Sequence, residues 1–188
     1  MIRIGIVGFG KATVRIHLPL LNMLPQYRIT AVMSSKSEDE ILNDLGGVEV
    51  FDDIDSFASH KCYDLAIVVT PTHTHFPLAK RLLNAGKHVV VEKPFVCYTS
   101  EAEELMEIAQ RRKVLLSVFH NRRWDSDFLT LKRLIAENRI GDIKYFESRF
   151  DKYRPRVLGF WREQDLPGAG LLYDIGSHLI DQVLILFG

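Results

Sequence analysis

The feature that most constrains the fold of this chain is a loop with two glycines between its first strand and first helix. The apolar run that ends at Val7 is followed by Gly8, Phe9 and Gly10, and a helical pattern begins near Lys11. Glycines permit the tight turn and leave room for a diphosphate against unpaired N–H groups at the helix start. The pattern predicts a dinucleotide-binding βαβ unit, although a βα turn without a ligand has the same local sequence.

Strands and helices continue to alternate up to about residue 120. Strands of almost continuous apolar character are typical of a parallel sheet that is covered on both faces. We therefore expect a doubly wound α/β fold, the Rossmann fold, for residues 1–120. The expected strands are 3–7, 28–33, 48–51, 65–69, 88–91 and 114–119, and the expected helices are 17–24, 38–45, 76–84 and 99–112.

Residues 121–188 have a different pattern, which predicts the start of a second, α+β domain. A helix is expected over 128–138, an alternating strand over 143–153 and a final helix over 171–187. A lone strand has no partner for its hydrogen-bond ladder, so this domain is expected to be truncated. The final helix carries an apolar stripe that needs a partner surface. This favours a homo-oligomer such as a dimer, a disordered helix or a fragment of a longer protein.

The balance of charges limits the expected partners. The 188 residues include 24 basic and 24 acidic side chains, with a sequence pI near 7.1. A neutral balance gives no electrostatic reason to expect a nucleic-acid or membrane partner. We expect no targeting leader, because the residues after Met1 run into an apolar stretch without a basic segment or a small-residue cleavage pattern. No uncharged apolar run approaches the ~18 residues of a membrane span. Cys62 and Cys97 form no CxxC pair, so free thiols in a cytoplasmic protein are expected.

Candidate cofactor contacts begin in the glycine loop and continue after the second strand. The loop residues are Gly8, Gly10, Lys11, Ala12 and Thr13. Thr13 replaces the third glycine of the usual pattern, which affects helix–strand packing more than the anion site. About 20 residues further on, where an acidic residue would bind a ribose 2′-hydroxyl, the chain has Ser34, Ser35 and Lys36. Two hydroxyls and an ammonium suit a 2′-phosphate, so NADP is the expected cofactor. NAD binding beside a merely solvated loop is the alternative.

Four further segments carry a family resemblance. They are Thr70-Pro71-Thr72-His73-Thr74-His75, Glu92-Lys93-Pro94, Asn121-Arg122-Arg123-Trp124-Asp125 and the run GAGLLYDIGSH from Gly168 to His178. Their order and spacing along nearly the whole chain resemble the Gfo/Idh/MocA oxidoreductases, named for glucose–fructose oxidoreductase and inositol dehydrogenase. The resemblance covers the nucleotide domain and the opening of the second domain, which in this family is a large open sheet.

The resemblance implies that three side chains are catalytic. Lys93 matches the family's lysine, which sits at the nicotinamide and hydrogen-bonds the substrate hydroxyl. Asp174 and His178 match the family's aspartate and histidine, and their spacing places them on one helix face. Histidine exchanges protons near neutral pH, as alcohol oxidation requires, and an ammonium stabilises alkoxide character. A surface role for these residues, or a metal site formed with Asp181, are the alternatives; we interpret Asp181 as structural and expect no metal.

The resemblance also implies supporting contacts around the nicotinamide and the substrate. The residues expected to border the cofactor are Thr70, Pro71, His75, Glu92 and Lys93. His75 is expected to order its loop rather than to catalyse, and Pro94 to follow a cis peptide bond. Asn121 and Arg122 are expected to face the substrate, and Trp161 and Arg162 to reach cofactor or substrate.

These observations predict an NAD(P)-dependent dehydrogenase or reductase that acts on CH–OH groups. The expected reaction transfers a hydride between the nicotinamide and a hydroxyl or carbonyl group of a sugar, cyclitol or similar polyol. The alternative function is that of a truncated nucleotide-binding module, or a redox sensor, without turnover.

Overall fold

A computed structural model of the chain describes residues 1–151, 153 and 155–188. The chain forms two compact units, Met1–Phe119 and His120–Gly188. We call them the first unit and the second unit.

The first unit contains a parallel sheet of six strands. The strands are β1 (Ile2–Val7), β2 (Tyr27–Met33), β3 (Glu49–Phe51), β4 (Leu65–Val68), β5 (His88–Glu92) and β6 (Leu116–Phe119). Their order in the sheet is β3-β2-β1-β4-β5-β6, so the direction of winding reverses between β1 and β4. This is the doubly wound Rossmann arrangement, and it confirms the predicted fold class.

Five helices connect these strands. They are α1 (Leu18–Asn22), α2 (Glu38–Leu45), α3 (Ile54–Ser59), α4 (His75–Asn84) and α5 (Thr99–Arg112). The structure confirms the predicted bounds of α2 and α5. Sequence analysis missed the short helix α3, whose start is stabilised by Asp53. That carboxylate accepts hydrogen bonds from the backbone N–H groups of Asp55 (2.8 Å) and Ser56 (2.9 Å), as an N-cap residue does.

The core of the first unit lies on both faces of the sheet. Side chains alternate along each strand, so Ile4 and Ile6 of β1 belong to one buried cluster and Val7 to another. The first cluster includes Leu18 of α1 and Ile41 of α2. The second includes buried side chains of α3, α4 and α5. Because both faces are covered, the carboxyl ends of the strands are left for a ligand site.

The second unit contains two helices, α6 (Ser126–Ala136) and α7 (Ser177–Phe187), among its described residues. The predicted strand over 143–153 is wrong for the described part of that range, which forms no ladder; Lys152 lies outside the described residues. Among the described residues of the second unit there is no other strand with which this segment could form a hydrogen-bond ladder. The predicted final helix over 171–187 is confirmed, and its first part, Leu172–Gly176, is a wider π-helical turn that leads directly into α7.

Two further properties of the chain can be read from the structure. Among the described residues, no helix combines the length and the apolar character needed to cross a membrane. Cys62 and Cys97 are both free thiols and both half-buried, as the sequence predicted for cysteines without a pairing pattern.

Candidate functional site

Three loops of the first unit meet at what we call the carboxyl edge of the sheet. Val7 of β1 is in register with Val68 of β4, and Val68 is in register with Val91 of β5. The N–H of Val69 extends this pairing by donating to the carbonyl of Val7 (2.8 Å). The residues that follow β1, β4 and β5 therefore lie side by side where the sheet reverses its winding, which is where open α/β sheets bind ligands.

The two glycines of the first loop serve different purposes. Gly8 has a φ of +97°, and a Cβ placed there would lie 2.5 Å from the carbonyl oxygen of Val69. Gly8 is thus required by the turn itself and by the close approach of the neighbouring loop. A Cβ at Gly10 would meet no protein atom within 4 Å. The space beside Gly10 is therefore open, as a site for a diphosphate requires.

Thr13 ties the first helical turn back to this loop. Its side chain is completely buried, and its hydroxyl donates to the carbonyl oxygen of Gly8 (2.7 Å). The segment Thr13–His17 is a π-helical turn that leads into α1. The departure from a third glycine is accommodated, because the threonine satisfies a loop carbonyl. Lys11 is exposed and Ala12 half-buried at the start of this helical segment.

The residues after β2 lie close to the same loop. The ammonium of Lys36 is 5.9 Å from the ring centroid of Phe9, which stands between the two loop glycines. The backbone N–H of Lys36 donates to the hydroxyl of Ser34 (3.1 Å), and Ser35 is exposed. Glu40 of α2 is the nearest acidic partner, with 3.9 Å between its carboxylate and the Lys36 ammonium. The end of β2 therefore presents hydroxyls and a cation beside the glycine loop.

Glu92 connects the helix that follows the glycine loop to the loop that carries Lys93. One oxygen of its buried carboxylate is 2.8 Å from Nε2 of His17. The other oxygen accepts a hydrogen bond from the backbone N–H of Lys93 (3.0 Å). The His17 ring packs against Phe119 of β6, with 4.6 Å between the ring centroids. Lys93 itself is half-buried, and the Lys93–Pro94 peptide bond is cis, as predicted.

His75 joins the loops that follow β4 and β5. It is 1% exposed at the start of α4. Its Nε2 lies 2.8 Å from the carbonyl oxygen of Thr70, and its Nδ1 lies 2.9 Å from that of Pro94 and 3.2 Å from that of Phe95. Burial lowers the pKa of His75 and outweighs the three carbonyl oxygens, which act in the opposite direction.

The rest of the β4–α4 loop is also ordered by local hydrogen bonds. The hydroxyl of Thr74 lies 2.7 Å from both the carbonyl oxygen of Pro71 and the hydroxyl of Thr70. The buried hydroxyl of Thr72 has no hydrogen-bond partner among the described residues. A buried polar group of this kind is costly unless a ligand or water satisfies it, so a polar ligand at this edge fits the loop.

In the second unit, Asp174 lies in the π-helical turn before α7. One of its carboxylate oxygens is 3.2 Å from Nε of Arg162. The Arg162 guanidinium also lies 4.7 Å from the ring centroid of Trp161. A cavity of about 380 Å³ opens beside this ion pair. The residues that line it are Phe150, Arg162, Glu163, Gly170, Leu171, Asp174 and Ile175.

His178 is buried in the first turn of α7, near a network of charged groups. Both carboxylate oxygens of Asp181 accept hydrogen bonds from the guanidinium of Arg123, at 2.8 and 2.5 Å. The hydrogen bond from Arg123 lowers the pKa of Asp181, with smaller contributions from His120 and His178. Asp181 is therefore held at both carboxylate oxygens by Arg123.

The two residues predicted to face the substrate lie in the segment after β6. Asn121 begins the 3₁₀ turn Asn121–Trp124. The Arg122 guanidinium donates to Asp125 (2.8 Å) and lies 4.7 Å from the ring centroid of Phe150. Arg122 therefore packs against Phe150, one of the residues that line the cavity of the second unit.

Several residues of the site were missed by sequence reasoning. His17 could have been recognised from the sequence as a site residue. It directly precedes Leu18, which is buried, and a histidine that is buried with its neighbour needs a hydrogen-bonding partner. Its partner Glu92 is 75 positions away, so no local spacing could identify the pair. Phe150 lies in the segment predicted as an alternating strand and Glu163 in a loop, and nothing in the sequence indicated that they line a cavity.

Family models match most of the chain. Residues 2–120 match the Gfo/Idh/MocA model described as an oxidoreductase family with an NAD-binding Rossmann fold. Residues 128–188 match a model of the Gfo/Idh/MocA C-terminal domain. The two models together therefore cover both units of the structure.

Individual proteins are similar over the full length of the chain. The chain is 49% identical to the uncharacterized oxidoreductase YdgJ of Escherichia coli, covering 100% of the chain and 54% of YdgJ. It is 43% identical to IolW of Bacillus subtilis, named a scyllo-inositol 2-dehydrogenase (NADP⁺), covering 100% of the chain and 52% of IolW. A solved oxidoreductase from Bacillus cereus has a TM-score of 0.89 at 33% identity, covering 100% of the chain and 53% of that structure. The chain thus spans about half the length of its relatives.

The contacts of His75 generate a prediction about stability and pH. Replacing His75 with glutamine should reduce the free energy of unfolding by about 1–3 kcal/mol above pH 7, because buried carbonyl groups lose a donor. Burial lowers the pKa of His75 in the folded protein below the ordinary value of 6.5. As the pH falls, the imidazole is therefore protonated in the unfolded chain before it is protonated in the folded protein. The stability that the neutral ring contributes should therefore be lost as the pH falls below about 6.5.

Urea unfolding at several pH values between about 7.5 and 5 measures this effect. The difference in stability between the wild type and His75→Gln should shrink as the pH falls. His73→Gln, at an exposed position of the same loop, is the control and should behave like the wild type. A difference that grows toward low pH would mean that the carbonyl oxygens, and not burial, dominate the pKa of His75.

Proposed function

The chain belongs to the Gfo/Idh/MocA oxidoreductase family, and we propose on this basis that it is an NAD(P)-dependent dehydrogenase or reductase. Its reaction would transfer a hydride between the nicotinamide and a hydroxyl or carbonyl group of a sugar, cyclitol or similar polyol. The observation that carries the proposal is the placement of Lys93 at the carboxyl edge, together with the open space beside Gly10.

The glycine loop would bind the diphosphate of the cofactor. The N–H groups at the start of the helical segment after Gly10 have the arrangement that binds phosphates in Rossmann folds. Gly8 closes the loop against Val69, whereas Gly10 leaves its own neighbourhood open. Lys11, Ala12 and Thr13 would supply the first turn of the helix to the diphosphate. Bound in this way, the nicotinamide would supply the hydride acceptor or donor.

The ammonium of Lys93 would hydrogen-bond the reacting oxygen and stabilise negative charge as it develops there. The backbone on either side of Lys93 is fixed, because Glu92 accepts its N–H and His75 lies against the carbonyl of Pro94. We therefore propose that Glu92 and His75 are positioning residues, and that Thr70 and Pro71 border the cofactor.

In the second unit, we propose that His178 takes up or releases the proton of the substrate hydroxyl, since an imidazole is the side chain best suited to proton exchange near neutrality. Asp174 would orient or polarise the substrate. The cavity beside Asp174 is lined by an arginine and a glutamate, and such groups suit a ligand rich in hydroxyls. Arg122 packs against Phe150, which lines the cavity, and we propose that Arg122 and Asn121 contact the substrate from their common segment.

We propose NADP rather than NAD as the preferred cofactor. Ser34, Ser35 and Lys36 provide hydroxyls and a cation after β2, and the Lys36 ammonium lies near the glycine loop. An ammonium would form charge-assisted hydrogen bonds with a 2′-phosphate. The name of the relative IolW, a scyllo-inositol 2-dehydrogenase (NADP⁺), supports both this preference and a cyclitol as substrate.

The two glycines allow a direct test of the diphosphate site. In Gly10→Ala the added methyl group meets no protein atom within 4 Å, so stability should change by less than about 0.5 kcal/mol. The same methyl group would occupy diphosphate space, so the dissociation constant for NADP⁺ should rise at least about tenfold in calorimetry. Gly8→Ala is the matched comparison and should lower stability, because of its positive φ and the nearby Val69 carbonyl. Unchanged affinity in Gly10→Ala would place the diphosphate elsewhere.

Cofactor preference can be tested by calorimetry with both dinucleotides. NADP⁺ should bind about tenfold more tightly than NAD⁺, the amount expected from one charge-assisted hydrogen bond. Lys36→Ala should remove this preference and leave the affinity for NAD⁺ unchanged. Lys80→Ala alters a lysine that pairs with Glu104 on the surface, and it serves as the control. Tighter binding of NAD⁺ by the wild type would contradict the assignment of Ser34, Ser35 and Lys36.

Turnover is tested by following nicotinamide absorbance with a panel of sugars and cyclitols, in the purified native protein. Lys93→Met and His178→Gln should each lower kcat/KM by about 100-fold or more, because each removes a group that acts on the reacting oxygen. Lys80→Met should retain wild-type activity, since exposed ion pairs contribute little. Cofactor binding without turnover of any substrate would favour a nucleotide-binding module or redox sensor instead.

A further inference from the structure

Three side chains that can bind a metal lie together at the opposite, amino edge of the sheet. Glu49 begins β3, His60 follows α3, and Cys62 lies between α3 and β4. A carboxylate oxygen, an imidazole nitrogen and the thiol sulfur all lie within 4.8 Å of one another. This cluster is separate from the carboxyl edge, where the proposed cofactor site lies, and no step of the proposed reaction uses it.

The backbone that carries this cluster is held by hydrogen bonds from other elements. The hydroxyl of Thr30 in β2 donates to the carbonyl oxygen of Cys62 (2.8 Å). The ammonium of Lys87 donates to the carbonyl oxygen of His60 (2.6 Å). Glu49 is paired with Ala31 in the parallel ladder of β2 and β3. All three positions are therefore fixed before any ligand binds, which reduces the entropic cost of binding.

The side chains of the cluster already face one another. Nε2 of His60 lies 3.3 Å from a carboxylate oxygen of Glu49, and Nδ1 accepts a long hydrogen bond from the N–H of Cys62 (3.3 Å). The His60 ring packs near Phe51, with 5.2 Å between the ring centroids. In a tetrahedral zinc site the ligand atoms lie roughly 3.3–3.7 Å apart. The two ligand atoms that lie furthest apart, within 4.8 Å, must come slightly closer to bind one ion. The side chain of Glu49 is exposed and can make this movement.

We propose that Glu49, His60 and Cys62 form a binding site for a divalent transition-metal ion of borderline softness, with Zn²⁺ as the matching ion. Sulfur and imidazole ligands select Zn²⁺ or Co²⁺ over Mg²⁺, which prefers oxygen ligands alone. A thiolate and a carboxylate together balance the charge of the ion, and a water molecule completes the four ligands. The ion joins β3 to the segment between α3 and β4, so its role is to stabilise the fold.

Cobalt provides a direct test, because a Co²⁺–thiolate bond absorbs in the near ultraviolet. The purified, untagged protein is freed of metal with a chelator and titrated with Co²⁺. We expect a sulfur-to-cobalt charge-transfer band that saturates at one equivalent, is displaced by Zn²⁺ and is unaffected by Mg²⁺. Absence of this band, or a band that Mg²⁺ removes, would overturn the proposal.

The other cysteine of the chain supplies a matched control. Cys62→Ser should abolish the cobalt band, and Cys97→Ser, which alters an equally half-buried thiol, should keep it. Zn²⁺ should raise the Tm of the wild type and of Cys97→Ser but not that of Cys62→Ser. His60→Gln should weaken Co²⁺ binding by at least about tenfold. This variant tests the proposed site independently if Cys62→Ser does not fold. A band that depends on Cys97, or on neither cysteine, would refute the site.

Discussion

The close approach of two loops at the carboxyl edge is the constraint on which the rest of the structure depends. A side chain at Gly8 would lie 2.5 Å from the carbonyl oxygen of Val69, so β1 and β4 can lie side by side here only if this residue is glycine. The same residue offers its own carbonyl oxygen to the hydroxyl of Thr13, which sets where the following helical segment begins. The turn after β1, the close approach of the β4 loop and the start of the following helical segment thus all depend on Gly8.

Buried polar contacts orient the loops at the carboxyl edge, which apolar packing against the sheet does not do. The hydrophobic clusters cover the two faces of the sheet and leave its carboxyl edge to loops, but burial alone does not orient a loop. Glu92 and His75 do so by binding backbone groups on either side of Lys93. In the second unit, Arg123 and Asp181 form a partly exposed ion pair. The contacts of His75 with Pro94 and of Arg123 with Asp181 link residues that are 19 and 58 positions apart in sequence. Removing one partner of a buried contact would cost stability.

The alternation of apolar strands and helices allowed the fold of the first unit to be predicted, because a doubly wound sheet is specified by periodicity along the chain. Helix α3 was missed because six residues are too few for a helical period to stand out. The strand predicted over 143–153 has the right alternation, but a strand also needs a partner, which a sequence pattern does not reveal. For the site, motifs predicted which residues follow which strand. The contact of His17 with Glu92 was beyond reach, since it depends on packing between elements 75 positions apart.

The hydrogen bonds that hold the segment containing Lys93 and Pro94 determine whether its conformational entropy is lost during folding or during ligand binding. A loop that orders only around a ligand loses conformational entropy during binding, at about 1–2 kcal/mol for each residue that becomes fixed. Here the buried imidazole of His75 and the carboxylate of Glu92 restrict the segment in the protein alone. That entropy is therefore lost during folding, where the whole core compensates for it, and affinity for a ligand at this edge is not reduced by it.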